Sequence, residues 1–160
     1  MSPRVGMGFD AHPFDPARPL RLGGVEFPGC AGLAGHSDGD ALLHAITDAI
    51  LGAAGLGSIG EHFSDRDPAW KGADSSRFVE HATRLAREKG WKIGNVDAVV
   101  IAETPKIAPR SAEIRARLGA LLGLPSESVS VRGTSANGLG FSGRGEGIAA
   151  MAVALLEPIG

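Results

Sequence analysis

The sequence predicts an α/β fold, a two-layer sandwich in which helices cover one face of a mixed sheet. Three observations predict it. β-prone runs alternate with three amphipathic helical stripes along the chain. Glycine or proline punctuates most boundaries between them. A chain of 160 residues, 43% hydrophobic, suits one domain with its own core. Helices on one face leave the opposite sheet face needing cover, so an oligomer is expected.

In order, Arg4 to His12 reads as a first strand bounded by Pro13. Leu20 to Phe27 reads as a hairpin turning on Gly23-Gly24. The stretch GHSDGDALLHAITDAI, Gly35 to Ile50, opens as a polar loop and becomes a helix that ends near Gly52 or Gly55. Ser37 is its expected N-cap, with Asp40 at the N3 position. Asp40, His44 and Asp48 recur every fourth residue and share one helical face. Leu56 to Ser75 is too rich in Gly, Asp and Pro for regular structure and is expected as a loop.

A second helix fits Ser75 to Gly90, with Phe78, Ala82, Leu85 and Ala86 on one stripe. Asn95 to Glu103 is a buried strand stopped by Pro105. A third helix begins near Pro109, keeps Ile114, Leu118, Leu121 and Leu122 inward, and ends at Gly123. Ser128 to Ser135 alternates as a strand. Gly147 to Glu157 is apolar without a clear period; its length permits helix or strand, and the Gly-rich loop before it favours strand.

Charge and composition narrow the function. Sixteen Lys and Arg against eighteen Asp and Glu leave a net charge of -2, with no basic surplus for nucleic acid or an anionic membrane. The single Cys30 excludes an intrachain disulfide and a cysteine-based zinc cluster, and suits a reducing compartment. No apolar leader and no long apolar run are present, so a soluble, cytoplasmic protein is expected. There is no internal repeat. Twenty-four glycines and ten prolines cluster with polar residues, as in tight loops that approach a ligand.

Asp10 and His12, two apart on the first strand, point to one face. With His44 they make an O/N/N set, the three-ligand pattern of a zinc site that keeps a fourth position open. The same residues also fit a structural Asp–His pair beside a satisfied core histidine. Three loops have chemistry suited to phosphate: AGHSDG at a helix start, AETPKIAPR with Lys106, and RGTSANGLGFSGRGEG with Thr134, Ser135, Asn137 and Arg144. AGHSDG alone also fits a simple helix cap. The last loop is neither a Walker loop nor a Rossmann fingerprint. Three such loops beside a metal triple point to a diphosphate substrate.

The segments GFDAHPF, GHSDGDALLHAITDAILGAAGLG, FSDRDPAWKGADS, NVD, PKIAPR and LGFSGRGEGIA resemble, in order and spacing, the 2-C-methyl-D-erythritol 2,4-cyclodiphosphate synthase family of the non-mevalonate isoprenoid pathway. The resemblance covers essentially all of residues 1–160 and implies a single synthase domain, assembled as a homotrimer with active sites between adjacent subunits. It implies a lyase that closes 4-diphosphocytidyl-2-C-methyl-D-erythritol 2-phosphate into the cyclic diphosphate and expels CMP, with no protein nucleophile. By resemblance, Asp10, His12 and His44 hold one zinc ion per subunit, and His36 and Ser135 stabilise the transition state, Ser135 standing for the family's usual Thr. Ser37 binds phosphate, and Ser58, Ile59 and Gly60 adjoin the substrate. Phe63, Ser64, Asp65, Arg66 and Asp67 form the loop around the methylerythritol phosphate. Ala102, Glu103, Thr104, Pro105, Lys106, Ile107 and Ala108 form a cytidine pocket donated by the neighbouring subunit. Thr134, Ala136 and Asn137 flank Ser135, while Phe141 and Arg144 adjoin a central channel that admits an isoprenoid diphosphate.

Two positions depart from the family pattern. Ser58 replaces a carboxylate that bonds substrate hydroxyls, and Asn137 replaces an acid that coordinates a second metal. Mg2+ or Mn2+ is therefore expected to be held largely by substrate phosphates. These departures motivate an alternative: a catalytically weakened trimer that binds cytidine nucleotide or isoprenoid diphosphate as a regulator. A zinc phosphohydrolase is the third reading.

Overall fold

Alternation along the strands decides the architecture. The computed structural model describes residues 1–160. Strands β1 (Arg4–Leu22), β2 (Val25–Leu33), β3 (Trp91–Ile101), β4 (Val129–Thr134) and β5 (Gly147–Pro158) form one sheet in the order β2-β1-β5-β3-β4. The β3–β4 pair is parallel and the others are antiparallel, so the sheet is mixed. Ile148, Ala150, Ala152, Ala154 and Leu156 of β5 point inward, as do Val96, Ala98 and Val100 of β3. Helices α1 (Ala41–Ala54), α3 (Ser76–Glu88) and α4 (Ser111–Leu122) pack on that inward face. Two shorter helices, α2 (Ile59–His62) and α5 (Gly140–Gly143), lie in connecting segments.

Helix α1 is the centre of the core: every residue except Asp48 and Gly52 is buried. It lies directly on β1 because Gly6 and Gly8 offer no side chain there. A Cβ at Gly8 would stand 1.9 Å from the Ala45 carbonyl oxygen, and one at Gly6 2.0 Å from that of Ala49. The opposite face of β1 carries Val5, Met7 and Phe9, all exposed, next to exposed Met151 and Val153 of β5. This apolar stripe is the uncovered sheet face that the sequence anticipates.

Several boundaries differ from expectation. The first strand does not stop at Pro13. Its ladder to β5 ends there, at Pro13 opposite Gly147, and the strand continues beside β2 alone, with a register shift around Pro19. Proline is tolerated where a strand has lost one partner or bulges. The Gly23-Gly24 turn stands, with φ of 66° and 76°. Strand β3 starts at Trp91, before Asn95. The expected loop from Leu56 to Ser75 contains α2 and a 3-10 turn at Pro68–Trp70. Another 3-10 turn, Ala108–Arg110, precedes α4. The final run is strand β5.

Ser37 does not cap α1. Asp40 does, its Oδ1 accepting the Leu43 N–H at 3.0 Å. The same fully buried carboxylate accepts the N–H groups of Gly23 at 2.9 Å and Gly24 at 2.8 Å, stitching the hairpin to the helix. Burial pushes the Asp40 carboxyl up, against the pull of those three donors.

The β1–α1 contact is tested by a pair of glycine substitutions. Gly8→Ala is expected to lower unfolding stability by about 3 kcal/mol, because backbone must move to admit the methyl. Gly52→Ala, at an open helical position with nothing within 4 Å, is expected to raise it by about 0.5–1 kcal/mol. Denaturant unfolding of both variants checks the opposite signs.

Candidate active site

Positions 6, 8, 10 and 12 share one face of β1. The first two are the glycines beneath α1; the next two, Asp10 and His12, lie past the helix start, where His44 in the first turn of α1 meets them. Asp10 Oδ2 is 2.6 Å from His12 Nε2 and 3.0 Å from His44 Nδ1, and the two ring nitrogens are 3.2 Å apart. The His12 Nδ1–H donates to the Ala34 carbonyl at 2.7 Å, which leaves a lone pair on Nε2. His44 Nε2 contacts the hydroxyls of Ser75 at 2.8 Å and Ser37 at 3.0 Å. His12 Nε2, His44 Nδ1 and Asp10 Oδ2 thus converge at contact distance, an arrangement that a shared proton or a bound metal cation reconciles. One carboxylate and two imidazoles are a fitting donor set for zinc.

Burial opposes ionisation of Asp10, yet the two imidazoles against it, His12 and His44, prevail and hold its pKa below the ordinary 3.8. Burial also opposes the His12 cation, but its hydrogen bond to Asp10 and the carboxylate charge raise its pKa above 6.5.

A cavity of about 270 Å³ opens beside this cluster, lined by His12, His36, Ser37, His44, Ile59, Gly60, Phe63, Asp65, Trp70 and Phe78. His36 is half-buried and its Nε2 lies 3.0 Å from the Asp67 carbonyl. Ser37 is buried. Arg18 bonds the carbonyls of Gly35, at 3.0 Å, and Ser37, clamping this loop. Ser64 accepts the Arg66 N–H at 3.2 Å and Asp67 that of Ala69 at 2.9 Å, so these residues shape their own loop. Exposed Ser58 precedes α2, its N–H bonded to Glu61 at 2.6 Å. Asp48 accepts the Ile59 N–H at 2.7 Å, anchoring α2.

The remaining predicted residues gather elsewhere. Ala102, Pro105, Lys106, Ile107 and Ala108, after β3, join Gly133, Thr134 and Ser135, at the end of β4, around a second cavity of about 190 Å³. It shares no residue with the first. Glu103 accepts the Ala136 N–H at 3.1 Å, tying the two loops together, and Thr104–Pro105 is a cis peptide. Asn137 sits at φ 53°, in the left-handed region that asparagine tolerates. Phe141 lines a cleft with His12 and Glu146, and Arg144 pairs with Glu146 at 3.0 Å. The sequence reading missed Asp38, Ser75, Arg18 and the Trp70 wall. Ser75 is readable only as a helix start, and Phe78, read as core, is both buried and 5.6 Å from the His44 ring.

The Asp10–His12 pair has a definite pH signature. The lowered Asp10 pKa contributes stability above 3.8 that is lost as pH falls through the shifted value. The raised His12 pKa contributes stability below 6.5 that is lost as pH rises through its own. In chelator, the stability gap between wild type and His12→Ala is therefore expected to be larger at about pH 6 than at about pH 8.5. Saturating zinc is expected to restore the gap at the higher pH, where the neutral ring is a ligand. Calorimetric melting of both proteins checks this; a gap that grows with pH in chelator contradicts it.

The family model described as the YgbB family matches residues 3–157. A bifunctional IspD/IspF enzyme of Hyphomonas neptunium is 55% identical over 99% of this chain, which spans 42% of that protein. The 2-C-methyl-D-erythritol 2,4-cyclodiphosphate synthase of Xylella fastidiosa is 53% identical, over 96% of this chain and 87% of its own length. The solved structure of the Plasmodium falciparum IspF complex with CDP superposes with a TM-score of 0.86 at 34% identity, covering 99% of this chain and 98% of that one. With this match across the cluster, both cavities and all five strands, the chain belongs to the YgbB family, that of the 2-C-methyl-D-erythritol 2,4-cyclodiphosphate synthases.

Proposed function

We propose that residues 1–160 form a single cyclodiphosphate synthase domain, a phosphorus–oxygen lyase. It converts 4-diphosphocytidyl-2-C-methyl-D-erythritol 2-phosphate into 2-C-methyl-D-erythritol 2,4-cyclodiphosphate and CMP. An oxygen of the 2-phosphate forms a bond to the β-phosphorus; the bridge between the α- and β-phosphates breaks, and CMP leaves with the bridging oxygen. The observation that carries this reading is the convergence of Asp10, His12 and His44 beside His36 and Ser37 in one cavity.

Asp10 Oδ2, His12 Nε2 and His44 Nδ1 would hold zinc. When bound, that ion polarises the β-phosphate and offsets its charge. His36 and Ser37 orient the phosphates at the cavity wall, and Ser58, Ile59 and Gly60 with Phe63 to Asp67 fold the methylerythritol phosphate toward the β-phosphorus. Trp70 and Phe78 keep water from that wall. Lys106 and the loop Ala102 to Ala108 seat the cytidine, while Thr134, Ser135, Ala136 and Asn137 steady the diphosphate. Mg2+ or Mn2+ would be held largely by the substrate phosphates, with little help from the Asn137 side chain, and would offset their charge.

The two cavities work as halves of one site if chains assemble as a homotrimer, each lending its second cavity to a neighbour. The exposed stripe Val5, Met7, Phe9, Met151 and Val153 supports that assembly. Phe141 and Arg144 then face a central channel with room for an isoprenoid diphosphate. We place the enzyme in the cytoplasm with no nucleic-acid or membrane partner; no helix is long and apolar enough to cross a membrane. No observation favours the regulator reading over turnover.

His44→Ala and Lys106→Ala are each expected to lower CMP release by roughly a thousandfold, His44→Ala with loss of zinc by metal analysis. When they are refolded together, about a quarter of interfaces recover both intact halves, and activity returns in proportion. No recovery places the whole site within one chain. Release of a linear hydrolysis product in place of the cyclic diphosphate makes the protein a phosphohydrolase, and no CMP from wild type with zinc and magnesium overturns the reading.

A further inference from the structure

Ser75 stands at the N-cap of α3, where a serine oxygen ordinarily accepts an N–H from the first helical turn. It makes no such bond here. Asp74 accepts the Ser76 N–H instead, at 2.9 Å. The hydroxyl of fully buried Ser75 turns away from its own helix and reaches both the Asp38 carboxylate and His44 Nε2, the latter at 2.8 Å. Asp38 grips the same residue twice, its Oδ2 accepting the Ser75 N–H at 3.1 Å.

The direction of these bonds follows from what each group can do. An ionised carboxylate only accepts, so the Ser75 hydroxyl proton points to Asp38. The Ser75 oxygen is left as an acceptor, and His44 Nε2 must supply the proton it receives. Ser37 Oγ, 3.0 Å from the same nitrogen, is a second acceptor. Nδ1 is then the lone-pair nitrogen of His44, and it is the one that faces Asp10 and His12. His12 differs: its ring is fixed by a neutral backbone carbonyl, that of Ala34.

We propose that Asp38 and Ser75 are positioning residues for the metal centre, a carboxylate–hydroxyl–imidazole relay that fixes His44 as its Nε2–H tautomer and makes Nδ1 a stronger ligand. The effect on metal rests on the zinc reading of the Asp10, His12 and His44 cluster; the tautomer does not. The relay joins the start of α3 to a ligand on α1, so the segment before α3 bears on the metal without touching it.

Two measurements on the full chain test the relay. In zinc competition against a chromogenic chelator, Ser75→Ala and Asp38→Asn are each expected to weaken binding by about 10–100-fold, while Ser75→Thr, which keeps the hydroxyl, holds near wild type. Asp38→Asn retains an acceptor for the loop, so its loss reports charge rather than unfolding. Nitrogen-15 histidine NMR of chelator-treated protein at about pH 9, where imidazoles are neutral, reads the tautomer directly. The relay predicts a single Nε2–H form of His44 in wild type and a mixture in Ser75→Ala. A mixed or Nδ1–H wild type overturns the proposal, as does wild-type zinc affinity in both Ser75→Ala and Asp38→Asn. A wild-type chain that binds no zinc overturns the metal reading instead, and the NMR result still decides the relay.

Discussion

Close approach of α1 to β1 is the constraint on which the rest of the molecule depends. Gly6 and Gly8 remove two side chains from the middle of a strand, and the helix backbone occupies the space. The period of two along β1 then carries Asp10 and His12 onto that same face, just beyond the helix start. The helix returns His44 to them from its first turn. One packing contact therefore sets the distance between the carboxylate and the two imidazoles. A bulkier residue at position 8 would lift the helix and part these three side chains, although neither glycine touches them.

The site has a cost that the surroundings offset. Three lone pairs within 3.2 Å repel one another until a proton or metal joins them. They stay together because each is held from behind: His12 by the Ala34 carbonyl, His44 by Ser75 and Ser37, and α1 itself by the Asp40 carboxylate bonded to the hairpin. The loop carrying His36 and Ser37 is clamped by Arg18 and by backbone bonds to the segment before α3, Gly72 N–H to His36 carbonyl at 2.7 Å and Asp38 N–H to Ala73 carbonyl at 3.0 Å. The cavity wall and the Asp10, His12 and His44 cluster thus share one rigid support.

The layers and the Asp10, His12 and His44 cluster were legible in the sequence because both rest on short periods. Alternation gave the inward faces of β3 and β5, and the D-x-H spacing with His44 gave the three side chains that converge. What was not legible depended on contacts distant along the chain. Ser37 and Asp40 are equally good N-caps by composition; Asp40 prevails because the Gly23 and Gly24 N–H groups need the same carboxylate. Pro13 looked like a strand end, and is only the point where β1 exchanges one partner, β5, for another, β2. Asp48 shares a face with Asp40 and His44, yet it serves α2 and no imidazole. Ser75 reads as an ordinary helix start, and nothing local reveals that its hydroxyl faces a histidine 31 residues away.

Zinc-edge anomalous diffraction from crystals of the zinc-loaded protein tests the central claim most directly. The packing of α1 on β1 predicts one peak per chain, about 2.0–2.2 Å from Asp10 Oδ2, His12 Nε2 and His44 Nδ1, with a further position open toward the cavity. A peak away from these three residues, or zinc bound through His44 Nε2, would contradict the account.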